Sequence, residues 1–195
     1  MTYDILTALL LFAFVTSITP GPNNLMLLAS GANYGFWRSV PHMLGVGIGF
    51  VVMLILTGIG LMAVFERYPV VQTGLKGLCL FYLCWLAWKI ATAGAPDGVK
   101  AEGKPLTFLQ AAAFQWVNPK AWAMAMTAIS LYAPDRSLAS VVLVGVIFGA
   151  VNLPSVSSWT LLGQQIRLVI SAPGRLKAFN VTMAVLLILS VLPML

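Results

Sequence analysis

Acidic residues are nearly missing from this chain: five Asp and Glu stand against eleven Lys and Arg in 195 residues. None of the five lies deep in an apolar run. Asp4 and Glu66 border such runs, and the other three fall between them. An enzyme working by general acid–base catalysis has no paired carboxylates here to use. Histidine occurs once, at His42, and cysteine twice, at Cys79 and Cys84. Five residues of separation turn the two cysteines roughly 140° apart on a helix, so they read as packing residues and not as a redox pair. No Cys, His or carboxylate cluster is present to hold a metal. Charged residues make up only 8% of the chain, whereas a soluble domain carries about 25%. Such a chain cannot cover a water-facing surface.

What is present is apolar sequence, 60% of the residues, with a mean hydropathy of +0.95. The class implied is an integral membrane protein. In that setting a net charge of +6 sets orientation and does not point to nucleic acid. The N-terminus lacks a basic leader and a small-residue cleavage site, so it is expected to stay attached.

Spanning the hydrocarbon as a helix takes about 20 apolar residues. Six segments qualify: 3–30, 40–65, 70–90, 108–132, 138–162 and 178–195. The stretch "TAGAPDGVKAEGKP" between the third and fourth reads as a linker. The organisation expected is a first three-helix unit over 1–93, a cytoplasmic linker over 94–105 and a second unit over 106–195. The two units carry matching features in order. Arg38 answers to Arg136, Pro20 to Pro119, Gly45 and Gly49 to Gly145 and Gly149, and Gly74 to Gly174. A unit with an odd number of spans re-enters the membrane from the opposite side when copied. The predicted fold is therefore an all-α membrane protein of six transmembrane helices, built as two inverted three-helix repeats. That architecture is typical of secondary transporters.

Alternate loops hold seven basic residues (Arg38, Lys89, Lys100, Lys104, Arg167, Arg175, Lys177) against three (Arg67, Lys76, Arg136). The excess places the first set in the cytoplasm and both termini outside it.

Two segments are interrupted near their middles. The first contains "TPGPNN", Thr19 to Asn24, and the fourth contains "VNPKAW", with Asn118, Pro119 and Lys120. Proline inside a helix removes a donor and obstructs a carbonyl, and in hydrocarbon the freed groups need protein or cavity water. Paired breaks in corresponding spans are the best sequence pointer to a transport site. A half-helix beginning near Pro22 would present free amides at Asn23 and Asn24 to a carboxylate. Lys120, about a dozen residues or roughly 18 Å into its span, is an intramembrane cation with no acidic side chain to pair with. Its partners would be backbone carbonyls freed by a break, cavity water or an anionic group of the substrate. The substrate's ammonium would go to carbonyls freed at Pro20 and Pro119. The expected substrate-binding set is Thr19, Pro20, Gly21, Pro22, Asn23, Asn24, Asn118, Pro119, Lys120 and Asn152.

These residues resemble a known family. "TPGPNN", "LGVGIGF", "LAWKIA" and "VNPKAW" look like the LysE/RhtB family of bacterial amino-acid exporters, over almost the whole chain and closest to its cysteine and O-acetylserine branch. The resemblance implies efflux of small neutral amino acids or derivatives across the inner membrane, driven by the proton gradient. Many relatives carry an acidic residue directly after the second-span glycines, where this chain has Phe50. The usual proton-relay carboxylate is thus absent.

His42, after Pro41, is expected at the membrane interface, with proton coupling as its alternative role. Asn152 with Pro154 forms a polar patch that either lines the pathway or bonds between helices. Gly45, Gly49, Gly145 and Gly149 are expected to let helices pack closely, and a homo-oligomer face is their alternative use. Tyr34, Trp37, Tyr68, Trp88 and Tyr132 read as interfacial anchors. The expected partners are an amino-acid substrate and the lipid bilayer, with no cofactor. A metal-ion exporter or a membrane thiol–disulfide relay of similar architecture is the alternative. The relay would want a cysteine beside each break, and neither break has one.

Overall fold

The computed structural model describes residues 1–61, 69–93, 104–170 and 173–190. Among them all regular structure is helical. The helices are α1 (Tyr3–Ile18), α2 (Pro22–Tyr34), α3 (Phe36–Leu56, continued by a π-turn over Thr57–Leu61), α4 (Pro69–Ala91), α5 (Phe108–Gln115), α6 (Pro119–Tyr132), α7 (Leu138–Val169) and α8 (Pro173–Leu189). Most of the linker, 94–103, lies outside the described residues, as do Tyr68, Arg67 and Glu66.

Local chemistry sets the helix ends. Thr2, Thr107 and Ser137 are N-caps, each accepting a backbone N–H three residues on, and Thr107 forms a full capping box with Gln110. Gly35, at φ +82°, separates α2 from α3 by a single residue, a conformation that favours glycine. Caps and turns lie beyond the apolar windows, so several helices overrun the segments expected from hydropathy. α3 starts at Phe36, not 40, and α7 runs to Val169, not 162.

By length and apolar composition, Phe36–Gly60 and Leu138–Val169 can each cross a membrane. The pair α1–α2, bent by 56° at its break, passes the same test only when its two helices are taken together. At 32 residues, α7 is about 48 Å long and is the spine of the protein, packing against α1, α2 and α3. Along it α2 is buried on nearly every side. A Cβ at Gly31 would lie 2.0 Å from the Thr160 carbonyl oxygen, and one at Gly163 2.0 Å from that of Leu28. Backbones therefore touch there, in the small-residue manner of membrane helices. Gly45 and Gly49 face α5, where Cβ atoms would meet the Phe108 carbonyl oxygen at 2.4 Å and Ala112 Cα at 2.6 Å. Gly149 and Gly145 accommodate Val51 and Ile55 of α3. Among the described residues three apolar clusters result, one including Met26, Met43, Val46 and Phe114, another including Leu9, Phe50, Met124 and Phe148, and a smaller one of Leu25, Leu28, Ala29 and Met183. The broken helices contribute to all three. Trp37 and Trp88 stay exposed, as does Cys84.

Candidate functional site

A residue before proline is pushed out of the α region into extended backbone. Three such residues make the breaks: Thr19 (ψ 141°), Gly21 (φ −175°, ψ 177°) and Asn118 (φ −89°, ψ 107°). Each half-helix then restarts with proline as its first residue, Pro22 in α2 and Pro119 in α6. By role, therefore, Pro119 answers to Pro22, a separation of 97 (119 − 22). The sequence match had paired it with Pro20 at 99 (119 − 20). Proline at the first helical position loses nothing, because its missing N–H has no helical acceptor there.

The carbonyls freed at the end of α1 all find donors. Asn24 Nδ2 donates to the Ser17 and Thr19 carbonyls at 2.8 and 2.7 Å. Trp159 Nε1, from α7, donates to the Ile18 carbonyl at 3.1 Å. Lys120 Nζ reaches across from α6 to the Thr19 carbonyl at 2.7 Å, Thr19 Oγ1 at 3.0 Å and the Pro20 carbonyl at 3.5 Å. An ammonium at the C-terminal end of α1 also meets the negative end of that helix dipole. Gly21 gives the lysine room, since a Cβ there would sit 2.8 Å from Lys120 Cδ. Its backbone is extended, so space and not conformation calls for glycine.

The two breaks are tied directly by a reciprocal amide pair. Asn23 Nδ2 donates to Gln115 Oε1 at 2.8 Å, and Gln115 Nε2 donates to Asn23 Oδ1 at 3.1 Å. Asn118 caps α6 through Lys120 N–H at 3.1 Å, whereas no side chain caps α2. From α7, Asn152 Nδ2 donates to Ser17 Oγ at 3.0 Å, and its Oδ1 is buried without a partner among the described residues.

A small cavity opens among these groups. Gly21, Asn23, Asn24, Asn118, Lys120 and Asn152 line it, with Phe50 on the opposite wall against Phe148, ring centroids 4.9 Å apart. Thr19 and Pro20 take part through the oxygens that hold Lys120. No carboxylate lines the cavity among the described residues. His42 lies elsewhere. It sits in the second turn of α3, which begins at Phe36, and is only 1% exposed. Gln115, Ser17 and Trp159 are site residues that sequence reasoning missed; the signal at Gln115 was an amide in an apolar run, four residues before Pro119. Among the described residues no group of His, Cys, Asp and Glu could hold a metal ion.

Apolar helices interrupted in pairs, with the interruptions facing one polar cavity, are the build of a membrane transporter. The chain matches the LysE type translocator model over residues 14–192, and it belongs to that family. It is a multi-pass membrane transporter, not an enzyme. Among curated proteins it is 34% identical to the "Cysteine/O-acetylserine efflux protein" of Escherichia coli strain K12, over 96% of each chain. The proteins of that name from Escherichia coli O139:H28 and Shigella flexneri serotype 5b match at the same identity and coverage. No solved structure matches this chain.

Proposed function

We propose that this protein exports small neutral amino acids or close derivatives, of the cysteine, O-acetylserine, homoserine or threonine kind, across the bacterial inner membrane. Six spans in two inverted repeats, 1–93 and 106–195 about a cytoplasmic linker, would do so by alternating access. One observation carries the reading: among the described residues the cavity joins a lysine ammonium and an uncapped helix start to an unpartnered amide oxygen, with no carboxylate. That set is complementary to a zwitterion. The substrate carboxylate goes to Lys120 and the free amides of α2 at Asn23 and Asn24. Carbonyls at the breaks were the expected acceptors for the ammonium, but Asn24, Trp159 and Lys120 already occupy those ending α1. Asn152 Oδ1 is the better acceptor. A side-chain cation would meet Lys120 with nothing to neutralise it.

Uptake of labelled amino acids into inverted membrane vesicles, with and without a proton gradient, tests this. O-acetylserine, cysteine, serine and threonine are expected to accumulate, and lysine and arginine to stay out. Accumulation of lysine but not serine would reject the assignment.

Orientation has its own test. With Cys79 and Cys84 replaced by alanine, a cysteine introduced at residue 1 is expected to react with an impermeant thiol reagent in intact cells. One at residue 98 is expected to be protected. The reverse pattern would overturn the charge argument.

A further inference from the structure

A second cavity lies further along α2. Ser30 and Asn33 of α2, His42 of α3, Lys89 of α4 and Lys104 ahead of α5 line it. α2 and α3 also line the first cavity, through Asn24 and Phe50. On α2, Asn24 and Asn33 are nine residues or about 13 Å apart, and on α3, Phe50 and His42 are eight residues or about 12 Å apart. The first cavity takes the start of α2 with the later part of α3, and the second the end of α2 with the early part of α3, so the cavities lie at two levels of this helix pair. Met26, Met43 and Val46, packed in one apolar cluster, occupy the level between. Unbranched methionines are the core side chains that repack most readily.

The polar groups at this second level are unusual in what they leave unused. Neither ring nitrogen of His42 has a hydrogen-bond partner among the described residues, although the ring is buried. A buried polar group in that state costs about 1–3 kcal/mol unless something comes to satisfy it. Its neighbours are already engaged. Ser39 donates to the Gly35 carbonyl at 2.8 Å, so Ser30 gives its proton to Ser39 at 2.7 Å. The Asn33 amide is committed to the Ala29 carbonyl and to Asn180. Lys89 lies over the Trp85 ring, 5.4 Å from its centroid, and Lys104 stands exposed at the mouth. No carboxylate lines the cavity among the described residues. Its volume, about 40 Å³, exceeds the ~10–15 Å³ that one water needs and suits a group of a few heavy atoms.

We propose that this cavity is a second binding site for the carboxylate of an amino acid. The two ammonium groups flank the carboxylate, a His42 ring N–H donates to it, and from here it passes Met26 and Met43 to the broken-helix cavity. The identity of the ligand rests on the export reading above; the anion chemistry of the site does not.

His42 is the chain's single histidine, so its ring reports the site without interference. Full-length protein labelled with ¹⁵N-histidine, in phosphatidylcholine nanodiscs, would be titrated with acetate and with O-acetyl-L-serine while the imidazole ¹⁵N resonances are followed. Both probes are expected to shift them saturably, and the methyl ester of O-acetylserine, which lacks the carboxylate, is expected not to. The double substitution Lys89→Met and Lys104→Met should weaken the response about tenfold. Lys120→Met, at the other level, should leave it in place. The proposal is overturned if neither probe moves the ring, if the double variant binds as tightly as the parent, or if folded Lys120→Met loses the response. It is equally overturned if phosphatidylglycerol alone shifts the ring and acetate then has no effect, since the site would be a lipid headgroup site. A response to acetate without amino-acid flux in vesicles would uphold the site and remove the export reading.

Discussion

Lys120→Met is expected to weaken transport of neutral amino acids by about tenfold in apparent affinity, the equivalent of losing about 1.4 kcal/mol of carboxylate attraction. Methionine keeps most of the apolar stem and removes the ammonium. The obvious objection is that Lys120 merely ties α6 to the end of α1 through the Thr19 carbonyl. That carbonyl, however, also accepts from Asn24 Nδ2 at 2.7 Å, and the substitution does not orphan it. Only the long 3.5 Å bond to the carbonyl of the exposed Pro20 goes unreplaced, so the variant should fold and insert. Lys120→Arg is expected to recover only part of the loss. The charge is restored, but a planar fork must pass Gly21, where the lysine stem already leaves no room for a Cβ. Concentration-dependent flux in vesicles, normalised to folded protein, checks both. Parent-level transport by Lys120→Met would make the lysine a structural clasp and nothing more.

Much of the site was legible because proline acts locally. The residue before proline is biased toward extended backbone and proline begins a half-helix cleanly, so the clustered turn residues of Thr19–Asn24 and Asn118–Lys120 mark two breaks without knowledge of the fold, where the lone Pro41 and Pro154 stay within helices. What reaches across space was not legible. Nothing local says that Asn23 finds Gln115, or that Asn24 and Trp159 take the carbonyls once assigned to the substrate. Those pairings depend on which faces α2, α5 and α7 turn to one another. Likewise Gly31 and Gly163 stand 132 residues apart (163 − 31), Gly31 the one glycine inside α2 and Gly163 fourteen residues beyond Gly149 in α7. The spaced pairs at Gly45 and Gly49, and at Gly145 and Gly149, were visible because one helix carries both members. The start of α3 was hidden for a different reason. Pro41 suggested a span beginning beside it, whereas the chain turns at Gly35 and tolerates proline early in α3.

The largest stability effect is expected at that unheralded glycine pair. An alanine Cβ at Gly31 would stand 2.0 Å from the Thr160 carbonyl oxygen, and at Gly163 the same distance from that of Leu28. The obstacle in each case is backbone, which cannot swing aside as a side-chain tip can, so α2 and α7 must separate. Overpacking of this kind typically costs about 1–3 kcal/mol. Function should suffer as well, because α7 carries Asn152 and Trp159, whose bonds to Ser17 and the Ile18 carbonyl hold the end of α1 in register. Gly31→Ala and Gly163→Ala should each lower resistance to unfolding by sodium dodecyl sulfate in mixed micelles and reduce flux. The double variant should cost less than the sum, since helices moved apart for one methyl group have already made room for the other. Gly74→Ala is the control. Its Cβ would meet nothing within 4 Å among the described residues, and alanine is the better helix former by about 1 kcal/mol. If Gly31→Ala unfolds and transports like Gly74→Ala, the close approach of α2 to α7 is not what holds the site together.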